Sequence, residues 1–304
     1  MTTGAESAGR PRWAARRRLS AAFWRRDWLR GSLLLLPPLA FFGLLYLGAL
    51  VVLLVSAFWT VDPLTTEVVH TWNLDNFKTV FTEPTYRTIA IRTIGIAAAV
   101  TITDALVALP FAYFMARLAS PRMRALLFVL VLLPLWASYL ARVYAWRLIL
   151  AKEGALNWTL DQLGLPAINI AYSNWAMWLV FSYIWLPFMI LPVYAAIERI
   201  PDSFLEASTD LGAKGWRTTR SIVLPLAFPG LVAGSIFTFA LTLGDYITPT
   251  LVGGASSQFI GNVVYSNVGI ANNVPFAAAY AVVPLLVMAV YLAVAKRLGA
   301  FEAL

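Results

Sequence analysis

Two acidic residues lie inside long apolar stretches of the chain, where a charge is costly. Asp104 is near the middle of the run 93–116, and Asp245 is in the outward part of the run 226–249, within the string LTLGDYITP. A carboxylate at the centre of a membrane costs about 2.5–3.5 kcal/mol on insertion scales, so each is a functional hypothesis by default. Such a pair could perform acid–base or proteolytic chemistry, or it could accompany a cation across a membrane.

A cation path needs carboxylates or aromatic faces, because an unpaired ammonium ion in a low-dielectric interior is prohibitively costly. Several aromatic residues should lie near the depth of Asp245 and could contact such a cation. For Trp136 and Trp185, the alternative role is plain packing. The candidate substrate-path residues are Asp245, Tyr246, Trp136, Tyr183, Trp185 and Asp104.

Two arginines leave alternatives open. Arg142 and Arg147 should lie at the depth of Asp245 and could form a structural ion pair with it. If they faced the cavity instead, they would repel a polycation and would favour an oxyanion or a carboxylate-bearing solute. For Asp104, a hydrogen bond from a neighbouring Thr or a backbone group is the alternative to a role in transport.

The composition excludes several kinds of active site. The chain has no cysteine and one histidine, His70, so we predict no metal site and no catalytic nucleophile of the cysteine class. No G-x-x-x-x-G-K-[ST] loop is present, so energy must come from a partner or an ion gradient. An intramembrane enzyme built on the two acids is a second hypothesis. A secondary transporter working alone is a third, but the inverted repeat that would favour it is not visible.

Composition predicts an all-α polytopic membrane protein. Of 304 residues, 60% are hydrophobic and 12% are charged, against roughly 45–50% and 25% in soluble proteins. About 20 apolar residues cross a bilayer as a helix. The sequence predicts six transmembrane helices over 32–57, 93–116, 125–149, 173–197, 226–249 and 276–296.

The basic residues predict the orientation of the chain. Seventeen of the 23 Lys and Arg residues lie on one side if both termini share that side, which the positive-inside rule identifies as cytoplasmic. We expect a cytoplasmic basic arm over 1–31, a six-helix domain over 32–297 with a cytoplasmic loop over 198–225, and a cytoplasmic tail over 298–304. The arm, with its interleaved tryptophans, is typical of a membrane flank rather than of a nucleic-acid site.

The loop EASTDLGAKGWRTTRSIVLPLAFPG has more structure than a simple connection needs. Ser203 is a good N-cap, and Glu206 three residues later completes a capping box. Gly212 suits the left-handed position that ends a helix. A second short turn should lead to Pro225 and Pro229 at the start of the next membrane helix. The alternative is a loop that only connects two spans.

The same loop resembles the "EAA" loop of ABC importer permeases, in which it forms the coupling helix that sits in a groove of the ATPase subunit. Ser208 stands where the family usually has alanine. The pattern E-A-x-x-x-[DL]-L-G-A followed by I-x-L-P-L is matched by Glu206, Ala207, Asp210, Leu211, Gly212, Ala213, Ile222, Leu224, Pro225 and Leu226. The resemblance implies that Glu206, Ala207, Asp210, Leu211, Gly212, Ala213 and Pro225 couple this chain to an ATPase.

Further strings resemble the spermidine/putrescine-type permeases over most of residues 32–296. They are LPLWASYLARVYAWRLILAKEGALN, LPFMILPVYAAIERI and LVGGASSQFIGNVV. Asn273 and Val274 replace the first two residues of the Asp-Trp-Pro that this group often has, so another solute, such as an anion or an amino-acid-like compound, is an alternative cargo.

The resemblance also implies the surroundings of the chain. It implies a type I ABC importer-like permease fold in the bacterial cytoplasmic (inner) membrane, working by alternating access. The expected partners are two copies of a cytoplasmic ABC ATPase, a second, different permease and an extracytoplasmic solute-binding protein. No cofactor is expected on this chain, since ATP and Mg belong to the partner ATPase.

Overall fold

A computed structural model describes residues 27–254 and 256–297, with the side chains of 27–30 excepted. The predictions for the basic arm before residue 27 and for the tail 298–304 lie outside these residues. The described helices are α1 (Asp27–Phe41), α2 (Gly48–Ser56), α3 (Asp75–Thr82), α4 (Pro84–Tyr113), α5 (Pro121–Trp136), α6 (Tyr139–Leu150), α7 (Ala155–Gln162), α8 (Asn174–Glu198), α9 (Asp202–Asp210), α10 (Gly215–Thr218), α11 (Leu224–Gly244), α12 (Ile260–Gly269) and α13 (Val274–Arg297).

Four π-helical turns and one small hairpin complete the described elements. The π turns are Phe42–Leu47, Phe114–Leu118, Thr219–Val223 and Pro249–Gly253, and the strands are β1 (Thr60–Val61) and β2 (Val68–Val69). The chain divides into two compact units at Val55 and Ser56. The first described unit is one long helical run that begins with α1.

Five helical runs are long and apolar enough to cross a membrane, and a bent pair makes a sixth if it is counted as one span. This confirms the predicted helical membrane class. The second and fifth spans are longer than predicted, at Pro84–Leu118 and Gly215–Gly244. The predicted third span over 125–149 falls on the bent pair, in which Pro121–Trp136 and Tyr139–Gln162 meet at an angle of 94°.

The bend in the third span follows from a proline near the end of α5. Pro134 has no N–H and its ring crowds the preceding turn. The helix ends two residues later, and Ala137 donates its N–H to the Pro134 carbonyl at 3.2 Å. Ala137 and Ser138 are extended, and α6 then starts in a new direction. The bend places Tyr139, the first residue of α6, away from the axis of α5.

Within the second unit, α8 is the central helix and packs against both α4 and α11. Two glycines four residues apart on α11 allow close approach. A Cβ on Gly230 would lie 2.6 Å from the Pro192 carbonyl oxygen, and one on Gly234 would lie 3.0 Å from the Met189 Cα. Small residues at this spacing let membrane helices meet backbone to backbone.

The hairpin is a small departure from the all-α prediction. Thr60 pairs with Val69 and Val61 pairs with Val68 in antiparallel register. Asp62 closes the turn by accepting the N–H groups of Leu64 at 2.8 Å and Thr65 at 3.1 Å. These backbone donors favour the ionised carboxylate, so the pKa of Asp62 lies below its ordinary value.

Candidate functional site

Helix α9 occupies the loop between two membrane helices and begins at Asp202. The predicted N-cap at Ser203 and its capping box with Glu206 are wrong. Pro201 occupies the N-cap position, and no side chain caps the helix there. Pro201 is extended at φ −61° and ψ 139°, and the helix starts two residues earlier than the sequence pattern indicated. Glu206 is therefore exposed and free of a capping role.

The predicted end of the same helix is confirmed. Gly212 has φ +74°, a conformation that glycine adopts without strain. Its N–H donates to the Thr209 carbonyl at 2.8 Å, and the Ala213 N–H donates to the Ser208 carbonyl at 3.0 Å. This pair of bonds is the Schellman motif. The loop therefore has a fixed shape before any partner contacts it.

The surface of this loop offers apolar side chains to the surroundings. Leu211 is 88% exposed at the tip of the loop. Glu206, Ala207 and Asp210 are exposed on the same helix. A groove of about 630 Å³ runs beside the helix, and its lining includes Phe204, Ala207, Leu211, Arg217, Ile222 and Pro225. The loop thus combines an exposed apolar tip with an adjoining cleft.

The second half of the loop continues directly into the membrane helix. The short helix α10, the π turn Thr219–Val223 and α11 form one helical run from Gly215 to Gly244. As predicted, Pro225 lies in the first turn of α11, which begins at Leu224. The hydroxyl groups of Ser208 and Thr218 lie 2.9 Å apart. Ser208, which stands where the family usually has alanine, therefore connects α9 to α10.

A second polar cluster surrounds Asp245, which follows the last residue of α11 and is not within the helix as predicted. Its Oδ1 accepts the backbone N–H groups of Ile247 at 2.7 Å and Thr248 at 3.1 Å. Its Oδ2 accepts a hydrogen bond from the Tyr139 hydroxyl. The Tyr139 ring stacks on Trp185, with centroids 5.7 Å apart and planes at 14°. The bend before α6 brings Tyr139 to this place.

Sequence reasoning missed Tyr139. The available signal was the Pro134 and Ala-Ser break just before it in LPLWASYLARV. A break that redirects the helix also redirects the first aromatic residue after it. Recognising the bend would have placed Tyr139, rather than Trp136, beside Asp245.

Neither arginine forms the alternative ion pair with Asp245 within the described residues. Arg142 lies with its guanidinium carbon 5.9 Å from the Tyr139 ring centroid. Its Nε and Nη1 are buried and find no hydrogen-bond acceptor in the described chain. Arg147 instead donates to the Tyr172 hydroxyl at 3.3 Å. The Nε1 of Trp185, a side chain only 8% exposed, also lacks an acceptor there.

Asp104 is 0% exposed in α4, where it faces Ser182 of α8. No hydrogen bond of standard geometry reaches either carboxyl oxygen among the described residues, and the Ser182 hydroxyl is the polar group beside them. The expected alternative of a Thr or backbone hydrogen bond is therefore wrong for this conformation. A buried polar group without a partner costs free energy, so Asp104 is an expensive residue at this interface.

The side chains of the other path candidates make different contacts. Trp136 is 87% exposed at the end of α5. Tyr183 packs on Trp146 with centroids 5.2 Å apart, and Tyr246 stacks on Tyr265 at 4.6 Å. Among residues 27–254 and 256–297, no three His, Cys, Asp or Glu side chains are grouped to hold a metal ion. The candidate site is therefore two separate regions, the α9 loop and the Asp245 cluster.

Comparison with known sequences gives consistent matches. A family described as "Binding-protein-dependent transport system inner membrane component" matches residues 108–300. The inner membrane ABC transporter permease protein YdcU of Escherichia coli (strain K12) is 49% identical over 300 residues, covering 94% of this chain and 95% of that protein. The spermidine/putrescine transport system permease protein PotB of the same strain is 33% identical over 228 residues, covering 74% and 82%.

Solved structures share the fold at low sequence identity. A bacterial ABC transporter involved in the import of the acidic polysaccharide alginate superposes with a TM-score of 0.70 at 20% identity, covering 92% of this chain and 99% of that chain. An inward-facing MetNI methionine ABC transporter superposes with a TM-score of 0.54 at 17% identity, covering 72% of this chain and 95% of that chain. The predicted type I ABC importer permease fold is thereby confirmed.

Proposed function

The chain belongs to the family of binding-protein-dependent transport system inner membrane components, and on that premise we propose that it imports polyamines as one permease subunit of an ABC importer. The PotB relatives at 33% identity, named for spermidine and putrescine transport, support this cargo. Their match covers about three quarters of the chain. The intramembrane enzyme hypothesis is not retained, because the relatives are transport permeases.

The proposed orientation places both termini and the α9 loop in the cytoplasm of a bacterium whose inner membrane holds the six spans. The distribution of Lys and Arg supports it. The domain plan remains a basic arm over 1–31, a permease domain over 32–297 with a coupling loop over 198–225, and a tail over 298–304.

In this proposal the α9 loop is the coupling element, and one observation carries it: a helix closed by a Schellman motif presents an exposed Leu211 beside a groove of about 630 Å³. Because the cap fixes its shape, docking requires little side-chain ordering. The partner is a cytoplasmic ATPase, present in two copies, which holds ATP and Mg. The residues that contact it are Glu206, Ala207, Asp210, Leu211, Gly212, Ala213 and Pro225.

The transport cycle in this proposal is alternating access. A solute-binding protein delivers the polyamine to the outer face, where a second, different permease completes the path. Closure of the ATPases moves the α9 loops, and the loop must contact the ATPase differently in the two states, since a contact indifferent to state shifts nothing. ATP hydrolysis thereby drives import.

The Asp245 cluster is the proposed place where an ammonium group contacts this chain. It offers a carboxylate and the faces of Tyr139 and Trp185, which are the partners a desolvated cation needs. The remaining predicted path residues, Tyr246, Trp136, Tyr183 and Asp104, would contribute in other conformations of the cycle.

Charge reversal at the loop tests the coupling role. Glu206→Lys and Gly212→Trp should abolish putrescine uptake by cells while leaving the amount of membrane-inserted protein unchanged, because the ATPase detaches. Glu153→Lys, on an exposed residue far from the loop in sequence, is the matched control. Variants that still copurify with the ATPase and transport normally would refute the docking role.

One observation favours a second candidate cargo. Arg142 and Trp185 both contact the Tyr139 ring, and each has a buried N–H group that finds no acceptor among residues 27–254 and 256–297. Buried donors require an acceptor. A solute that carries a carboxylate beside its amine would supply one. Competition of labelled putrescine uptake by unlabelled 4-aminobutyrate and by unlabelled spermidine decides between the two: stronger inhibition by 4-aminobutyrate would favour the amino acid.

A further inference from the structure

Arg117 joins three segments at the end of the membrane helices from which α9 departs. It lies in the π turn Phe114–Leu118 that follows α4. Its Nη1 is 2.6 Å from Oδ1 of Asp202, the first residue of α9. Its Nη2 donates to the carbonyl oxygen of Ile197 at 2.6 Å and to that of Ile200. One side chain therefore holds the end of α8 and the start of α9 against the end of α4.

These contacts use properties that only arginine has. The planar guanidinium presents several donors in a fixed fork, whereas a lysine presents a single point charge. The last carbonyl groups of a helix lack partners within the helix, and Nη2 satisfies two carbonyls in this region. The Arg117 side chain is 13% exposed, whereas that of Asp202 is 78% exposed. The arginine is thus fixed by its surroundings, and it fixes the aspartate.

The position of the contacts determines what they constrain. Only residues 199–201 connect α8 to α9. Ile197 precedes this linker, Ile200 lies within it, and Asp202 follows it. A rotation of α9 about the linker would therefore have to break the contact of Arg117 with Asp202 or those with the two carbonyls. The linker keeps its conformation as long as Arg117 keeps all three contacts.

A second arginine strengthens the same junction from α5. Arg124 donates from Nε to the Met115 carbonyl at 3.1 Å and from Nη2 to the Ala116 carbonyl at 2.8 Å. Its Nη1 lies 3.6 Å from Oε1 of Glu198, the last residue of α8. Arg124 therefore also fixes the π turn that contains Arg117. This restricts the movement of Arg117 relative to Asp202.

We propose that Arg117 is a positioning residue that transmits movement of α9 into α4 as well as into α8. The inference rests on the proposed function, in which α9 docks on the ATPase. A movement of the docked α9 reaches α8 through the chain itself, and Arg117 adds a direct polar connection from α9 to the π turn that follows α4. Without Arg117, rotation at the linker absorbs part of the movement, and ATP is hydrolysed with less transport.

The test uses the complete importer in proteoliposomes, with this chain, its ATPase, its second permease, its binding protein and radiolabelled putrescine. The measured quantity is putrescine imported per ATP hydrolysed. Asp202→Asn should lower this ratio by about two- to fivefold, the range for an exposed ion pair. Arg117→Lys should lower it by about tenfold, because the carbonyls also lose their donors. ATP hydrolysis itself should persist. The exposed Arg122→Lys and Asp161→Asn, matched in chemistry, should leave the ratio unchanged.

A distance measurement separates this inference from the proposed function. The chain has no cysteine, so Leu118→Cys with Ser203→Cys gives one pair of spin labels across the junction. In the purified full chain without ATPase, the distance distribution should be narrow, and Asp202→Asn or Arg117→Lys should broaden it. An unchanged distribution and an unchanged import ratio would overturn the role of Arg117. If the distance distribution is narrow but the chain fails to bind the ATPase when it is added, the proposed coupling function would be overturned instead.

Discussion

The Tyr139 hydroxyl donates to the carboxylate of Asp245, although the two residues are 106 positions apart and begin and end different membrane elements. This contact makes a concrete prediction for the cargo path. Asp245→Asn should lower putrescine uptake by an order of magnitude or more, because a neutral amide cannot balance an ammonium ion. A loss of about 1.4 kcal/mol in binding free energy lowers the affinity tenfold.

Tyr139→Phe is the companion variant, since it keeps the ring that stacks on Trp185 and removes only the hydroxyl. It should lower uptake less than Asp245→Asn, because the backbone donors of Ile247 and Thr248 still hold the carboxylate. Uptake rates over a range of putrescine concentrations give both effects. Unchanged uptake by Asp245→Asn, together with a loss of thermal stability, would assign the aspartate to structure alone.

The two path tryptophans should behave differently. Trp185 is buried and stacks on Tyr139, whereas Trp136 is largely exposed and contacts no other aromatic ring in the described chain. Trp185→Ala should therefore lower uptake at least several-fold, and Trp136→Ala should lower it less. Each variant serves as the control for the other in the same uptake assay, with the quantity of inserted protein measured in parallel. The reverse order of effects would place the path on the other side of α5.

Asp104 should show opposed effects on stability and transport. Its carboxyl group is fully buried and has no partner among the described residues, and such a group costs roughly 1–3 kcal/mol in folded proteins. Asp104→Asn removes the ionisable group at nearly equal volume, and the amide NH2 can donate a hydrogen bond to the neighbouring Ser182 hydroxyl. We expect a higher midpoint of thermal unfolding in detergent and a lower rate of uptake, the pattern of a destabilising residue that serves function. Normal uptake by Asp104→Asn would remove it from the path.

The close contact of α8 and α11 gives a prediction on folding. Gly234→Ala places a Cβ against the Met189 backbone, so the helices must separate, at a cost of about 1–3 kcal/mol. Thermal unfolding of the purified chain measures the loss. Gly95→Ala on α4 is the control, because a Cβ there meets nothing within 4 Å. Equal midpoints for the two variants would show that the glycine contact does not limit stability.

The sequence predicted most of the membrane architecture, because apolar length alone determines which segments can cross a bilayer. It also predicted the end of α9 at Gly212, because a left-handed position before a polar turn has a strong local signature. The start of α9 was misjudged because Pro201, with its fixed φ, takes the N-cap position ahead of Ser203. The contact of Asp202 with Arg117, 85 residues away, is not visible in the local pattern.

The Asp245 cluster could be predicted only in part. The acid itself is visible as a charge in an apolar run, but its neighbours depend on the 94° bend between α5 and α6. A hydropathy pattern does not reveal that bend and predicts one continuous span. For this reason the sequence placed Trp136 beside Asp245, where the structure has Tyr139. The sequence also left open an ion pair of Arg142 with Asp245, whereas the contact of Arg142 is with the Tyr139 ring.

The α9 loop is the part on which the proposed mechanism depends, and its exposure can be measured directly. Because the chain lacks cysteine, Leu211→Cys offers a single thiol at the tip of the loop. A membrane-impermeant maleimide should label it in inside-out vesicles stripped of ATPase, should not label it in intact spheroplasts, and should lose access when purified ATPase is added back. Labelling in intact spheroplasts, or labelling that added ATPase does not reduce, would contradict a cytoplasmic coupling role for this loop.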